Sequence, residues 1–126
     1  MLGLLASCTH SQPQPTGDSV DPFNALKCRK KEIDAHRLRV IGEVAPPDVD
    51  AIRAEIARVS PDLVVMVRTE PPGFEDLKTK YGRGLIEVET LKSWSCLSSE
   101  GESLFAVHRA GRWQVVEERY EWTACD

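Results

Sequence analysis

The chain has 126 residues, which is enough for one hydrophobic core and too few for two, so we expect a single folded domain. Hydrophobic residues make up 41% of it, and 16 basic against 20 acidic residues leave a net charge of −4, which argues against binding to nucleic acid. No apolar run approaches the roughly 18 residues that a membrane-spanning helix needs.

The chain opens with an apolar run that closes on two small residues and a cysteine. The four residues that end this run are Leu5, Ala6, Ser7 and Cys8. They resemble the lipobox of bacterial lipoproteins, where a signal peptidase cuts before a cysteine whose thiol receives a diacylglycerol group. The resemblance implies that residues 1–8 are a signal and lipobox segment and that Cys8 becomes a lipidated N-terminus.

Residues 9–20 are rich in Gln, Pro, Ser, Thr and Gly and hold no basic side chain. Such a segment cannot bury enough apolar surface to fold, so we expect a disordered tether in front of a domain formed by residues 21–126. Thr9 follows Cys8 in place of the Asp that commonly retains lipoproteins of this kind at the inner membrane. By resemblance, the protein is expected at the outer membrane, facing the periplasm.

The folded domain is predicted to open with a helix over residues 22–34, because Asp21-Pro22 is a favourable helix start. Residues 27–39 carry six basic and two acidic side chains. We interpret this run as a solvated face, with contact to anionic lipid as the alternative. Alternation of apolar and polar residues over 36–44 then predicts a half-buried strand.

A strand–helix–strand unit is predicted next. Residues 48–59 have the spacing of an amphipathic helix, whose apolar stripe consists of Val49, Ile52, Ile56 and Val59. Residues 63–67 form a continuous apolar run, which is typical of a strand inside a sheet. With the strand over residues 36–44, these elements predict a βαβ unit with a right-handed crossover.

The C-terminal half is predicted to be a short helix followed by an antiparallel meander. The helix spans residues 74–81, and the strands span residues 85–97, 104–109 and 112–122, with a bulge at Lys92. We expect a polar turn over 98–102 and a tight hairpin turn at Ala110-Gly111. The fold class is therefore α+β, a mostly antiparallel sheet of about five strands with helices on one face.

Three cysteines remain if Cys8 carries lipid, an odd number for an oxidising compartment. The meander brings Cys96 and Cys125 to the same end of the sheet. We therefore favour a Cys96–Cys125 disulfide, with pairings that use Cys28 as the alternatives.

The candidate binding residues are aromatic side chains of the meander, which supply a large contact area at interfaces. They are Trp94, Trp113, Tyr120 and Trp122.

Scattered histidines and the lack of a glycine-rich phosphate loop predict no metal, no cofactor and no catalytic residue. We interpret Glu87 and Glu89 as a solvent-exposed pair. We expect a non-enzymatic module that binds an unidentified protein, of the envelope-assembly or inhibitor and immunity type.

A second resemblance gives the alternative. The Gly111-Arg112-Trp113 turn within residues 106–116 resembles the terminal hairpin of cystatin-like and nuclear-transport-factor-2-like domains. It implies a domain that binds a small molecule in the curve of its sheet, which requires a deep apolar pocket.

Overall fold

Eight helices and strands follow one another along residues 22–125, the part of the chain that the computed structural model describes. They are α1 (Pro22–Ala35), β1 (Arg39–Ile41), α2 (Pro46–Ala57), β2 (Leu63–Thr69), α3 (Glu75–Tyr81), β3 (Ile86–Trp94), β4 (Ser98–Arg109) and β5 (Arg112–Cys125). The five strands form one open sheet in the order β1-β2-β3-β4-β5. Strands β1 and β2 are parallel and the other neighbours are antiparallel, which confirms the predicted α+β class.

The predicted βαβ unit is present as β1, α2 and β2. Two prolines open α2, where their missing N–H groups need no partner and their fixed φ suits the helix. Val49, Ile52 and Ile56 are buried, as the apolar spacing predicts. Val59 is 45% exposed, because the helix ends at Ala57 and Val59 lies beyond it.

Strand β1 is shorter and more exposed than the sequence predicts. It spans only Arg39–Ile41, and all three residues are exposed. Gly42 ends it with a φ of 99°, and a side chain there would overlap with Thr69 Oγ1. Only glycine tolerates both this positive φ and this close approach of Thr69. The strand therefore stops before Gly42, although the alternation of apolar and polar residues continues to residue 44.

The chain reverses between β3 and β4 at residues 95–97. The Ser95 hydroxyl accepts hydrogen bonds from the backbone N–H groups of Leu97, at 3.3 Å, and Ser98, at 3.1 Å. The prediction of a turn over residues 98–102 is therefore wrong: these residues begin β4, with Ser99 opposite Trp94. The predicted bulge at Lys92 is confirmed by a register shift between Leu91 and Ser93.

Each face of the sheet carries its own apolar cluster. Neighbouring residues of a strand point to opposite faces, so Leu104 and Phe105 belong to different clusters. The α2 side holds Ile52, Ile56, Val64, Val67, Ile86, Val88 and Leu104. The α3 side holds Leu77, Leu85, Phe105 and Val107. Helix α2 thus packs on one face and α3 on the other, so the expectation that the helices lie on one face of the sheet is wrong.

The disulfide within the described residues joins Cys28 of α1 to Cys96, with 5.4 Å between the Cα atoms. The predicted Cys96–Cys125 bond is wrong. Because the turn lies at residues 95–97, Cys96 sits at the tip of the hairpin, whereas Cys125 lies within the sheet, paired in register with Ser98. No cysteine among residues 22–125 carries a free thiol.

Helix α1 has the predicted position in the chain, but it does not pack into the core. None of its residues is buried. Besides the Cys28–Cys96 bond, its C-terminal end approaches the sheet through His36, whose ring centroid lies 6.2 Å from that of Trp94. The disulfide, rather than apolar packing, therefore holds α1 beside the hairpin.

Candidate functional site

The last strand, β5, forms an open edge of the sheet. It is 14 residues long, none of its residues is fully buried, and within the described part of the chain it pairs only with β4. An edge strand presents a row of backbone N–H and C=O groups that can pair with another extended chain. The sequence predicted the strand but not that it lies at the edge, because strand order depends on contacts between distant residues.

Charged side chains line this edge. Glu118 accepts hydrogen bonds from the Tyr81 hydroxyl at 2.5 Å and from Lys80 Nζ at 3.2 Å, which ties α3 to β5. These donors, Tyr81 foremost, hold the pKa of Glu118 below its ordinary value, so its carboxylate stays charged. No motif in the sequence links residues 81 and 118, and this contact was missed.

Of the other charged residues of β5, one is paired within the sheet and three are not. Arg119 lies 3.3 Å from Glu102 of β4. Arg112, Glu117 and Glu121 form no side-chain hydrogen bond or ion pair with other residues of the 22–125 segment, and all three are exposed. Charges at a sheet edge oppose indiscriminate strand pairing, so a partner at β5 needs side chains that match them.

The four predicted aromatic residues do not form one surface. Trp94 faces α1, whereas Trp113 packs on the α2 side and its Nε1 donates to Asp48 at 3.4 Å. Tyr120 lies on the α3 side, its ring centroid 6.0 Å from that of Phe105, and is 49% exposed. Trp122 covers Gly101, where a side chain would press against the indole ring. Of the four, Tyr120 combines the greatest exposure with a place on β5.

A buried polar cluster lies on the α3 side of the sheet. Glu87 is 5% exposed; it accepts a hydrogen bond from Ser103 at 3.3 Å and forms an ion pair with Arg68 at 3.7 Å. Burial raises the pKa of Glu87, and the nearby Glu89 raises it further, while Arg68 opposes both. The prediction that Glu87 is solvent-exposed is wrong, because β3 is covered on both faces.

Two surface hollows flank α1. One, of about 390 Å³, lies between the C-terminal half of the helix and the start of β4, and the other, of about 620 Å³, lies along its first turns. Trp94 lines both. They are gaps between a helix and a hairpin rather than a pocket in the curve of the sheet.

Two further findings concern residues 22–125. They contain no group of three or more metal-ligating side chains suited to an ion. Their helices are all too short or too polar to cross a bilayer. The predicted lipidation site, Cys8, and the predicted tether over 9–20 lie outside the described residues.

Comparison with known proteins found no matching family model, no matching curated protein and no matching solved structure. The fold and the edge together define the class at the level of architecture: an α+β domain with an open five-stranded sheet and a long terminal edge strand.

Proposed function

We propose that the protein is a cell-envelope lipoprotein that binds a protein partner by strand addition at β5 and has no catalytic role. The observation that carries this proposal is the 14-residue open edge, along which no residue is fully buried. Main-chain hydrogen bonds to an added strand supply affinity, and side chains on alternate positions supply specificity.

The cell-envelope part of the proposal rests on Cys8 and on cysteine use. The Leu5-Ala6-Ser7-Cys8 sequence supplies the acylation site, and residues 9–20 supply the spacer. Because Cys28 pairs with Cys96 and Cys125 has no free thiol, acylation of Cys8 requires Cys125 to bond a cysteine of another chain. The Cys28–Cys96 bond supports an oxidising compartment such as the periplasm, because structural disulfides are rare in a reducing cytosol.

The small-molecule alternative has weaker support. It requires a deep apolar pocket in the curve of the sheet, whereas Phe105 and Leu104 are fully buried within packed clusters on the two faces. The protein-binding proposal needs no such cavity.

Photo-cross-linking in the native host tests strand addition. A photoreactive phenylalanine derivative is placed at Thr123, which is exposed on β5, or at the control position Arg53, which is exposed on α2. We expect one adduct of defined mass from position 123 that is absent from position 53. No adduct from position 123, or the same adducts from both positions, would contradict binding at this edge.

Fractionation tests the anchor separately. Cys8→Ala should move the protein from the membrane fraction to the soluble fraction when the membranes are washed at high salt, because the acylated thiol is lost and salt weakens any remaining charge attraction. A Cys8→Ala protein that stays fully membrane-bound at high salt would contradict anchoring through Cys8.

A further inference from the structure

Helix α1 carries an exposed apolar face on the half of the helix opposite its disulfide. Phe23, Leu26 and Ile33 are 66%, 67% and 57% exposed. At about 100° of rotation per residue, each lies roughly 140–160° around the helix from Cys28, the point of attachment. The disulfide therefore lies on the opposite half of the helix and leaves these residues largely exposed, with Leu26 at the rim of the hollow that Trp94 also lines.

Basic side chains surround this face. Lys27, Arg29 and Lys30 lie on or beside it and are exposed, and Lys27 Nζ lies 4.9 Å from the centre of the Phe23 ring. Asp34 is the acidic residue on the same half of the helix, whereas Glu32 lies toward Cys28. Residues 27–39 carry a charge of +4, although the whole chain carries −4.

We propose that α1 is a membrane-surface helix that binds anionic phospholipid. Its apolar residues insert among the headgroups, while Lys27, Arg29 and Lys30 contact lipid phosphates. The positive charge of this segment is complementary to an anionic bilayer. The apolar residues on the same face favour a bilayer over nucleic acid as the binding partner, because nucleic-acid phosphates offer them no apolar contact. This binding goes beyond the partner-binding role of β5 and does not require acylation of Cys8.

The test uses the full chain carrying Cys8→Ala, so that no lipid anchor contributes. The protein is sedimented with vesicles of equal parts phosphatidylglycerol and phosphatidylcholine, or of phosphatidylcholine alone. We expect binding only to the vesicles with phosphatidylglycerol, and we expect salt to weaken it. Equal binding to both compositions, or no binding to either, would overturn the proposal.

Charge variants locate the binding on α1. Each basic residue near an anionic surface contributes about fivefold to partitioning, so Lys27→Glu with Lys30→Glu should lower it by at least about 25-fold. Arg53→Glu with Lys92→Glu makes the same change in net charge at exposed positions of α2 and β3, and should leave partitioning within about twofold. Equal losses for the two pairs would overturn the assignment to α1.

Apolar variants separate insertion from simple charge attraction. Leu26→Ser should lower partitioning by about tenfold, whereas Val59→Ser, at a 45% exposed position outside α1, should not change it. Because no residue of α1 is buried, the α1 variants should keep the circular dichroism and melting temperature of the parent. If the protein forms a discrete complex with an acidic protein and does not bind vesicles, the partner of α1 is a protein and the proposal is overturned.

Discussion

Single backbone positions decide where the strands of this sheet stop and turn. Gly42 ends β1, and Gly101 lets β4 run close to β3, since a side chain there would overlap with the Thr90 carbonyl. At the tip of the last hairpin, Ala110 and Gly111 have φ values of 53° and 76°. Two successive positive φ values match a type I′ turn, in which Asn-Gly is the preferred pair.

Ala110 is therefore a strained position that a better turn residue should relieve. Ala110→Asn should raise the free energy of unfolding by about 1 kcal/mol, because Asn tolerates the left-handed conformation better than Ala. Gly111→Ala at the adjacent turn position should lower it by about the same amount. Urea unfolding measures both changes, and a destabilised Ala110→Asn protein would contradict the assigned turn.

Glu87 should make stability depend on pH. Its folded pKa lies above the ordinary 4.5, so between these two values the unfolded chain has lost a proton that the folded chain retains. The folded state then binds more protons, and the contribution of Glu87 to stability falls as pH rises through that interval. Glu87→Gln removes this titration, so its free energy of unfolding should increase relative to the parent between about pH 4 and pH 7.

Unfolding of both proteins by urea at the two pH values gives the measurement. Glu121→Gln, on the exposed edge strand, is the matched control for loss of a surface carboxylate, and its free energy of unfolding should stay within about 0.5 kcal/mol of the parent. If the free energies of unfolding of Glu87→Gln and the parent differ by the same amount at both pH values, the prediction that burial raises the pKa of Glu87 is wrong.

Helix α2 packs on one face of the sheet through one buried stripe. Ile52 and Ile56 are both fully buried, while Arg53 between them is exposed. Ile52→Ala should lower the free energy of unfolding by about 2–5 kcal/mol, which is the range for emptying a buried aliphatic site. Arg53→Ala should change it by no more than about 0.5 kcal/mol. Similar losses in the two variants would refute this face of the helix.

The elements that the sequence predicts well are those with strong local signals. The spacing of Val49, Ile52 and Ile56 identifies α2, and Ala110-Gly111 identifies the β4–β5 turn. The β3–β4 turn was misplaced because the polar residues 98–102 look like a loop, although they are the start of a strand near the sheet margin. That error moved Cys96 away from the hairpin tip and produced the wrong disulfide.

Contacts between distant parts of the chain left no such signal. The burial of Glu87 follows from coverage of both faces of the sheet, and the bond from Tyr81 to Glu118 joins residues 37 apart. The sequence also does not reveal that Phe23, Leu26 and Ile33 are exposed, because their spacing is that of a helix that packs on a core. What the sequence could not show is which surface each apolar face meets.

The whole molecule combines three features at different places on the domain. A predicted lipid anchor and spacer precede α1, the disulfide fixes α1 beside the β3–β4 hairpin, and β5 offers an open edge. An anchored domain whose basic helix rests on the bilayer would present the β5 edge to partners within the envelope. Together these features support the proposal of an envelope lipoprotein in which Cys28 is bonded to Cys96.

Peptide mapping of unreduced protein from the membrane fraction of the native host tests this claim most directly. We expect a Cys28 peptide linked to a Cys96 peptide, together with an N-terminal peptide that begins at Cys8 and carries the mass of the lipid. Acylation and a disulfide at Cys8 exclude each other, so a Cys8 peptide joined to Cys125 would contradict the anchor. A reduced protein that retains Met1 and is found in the cytoplasm would contradict the account as a whole.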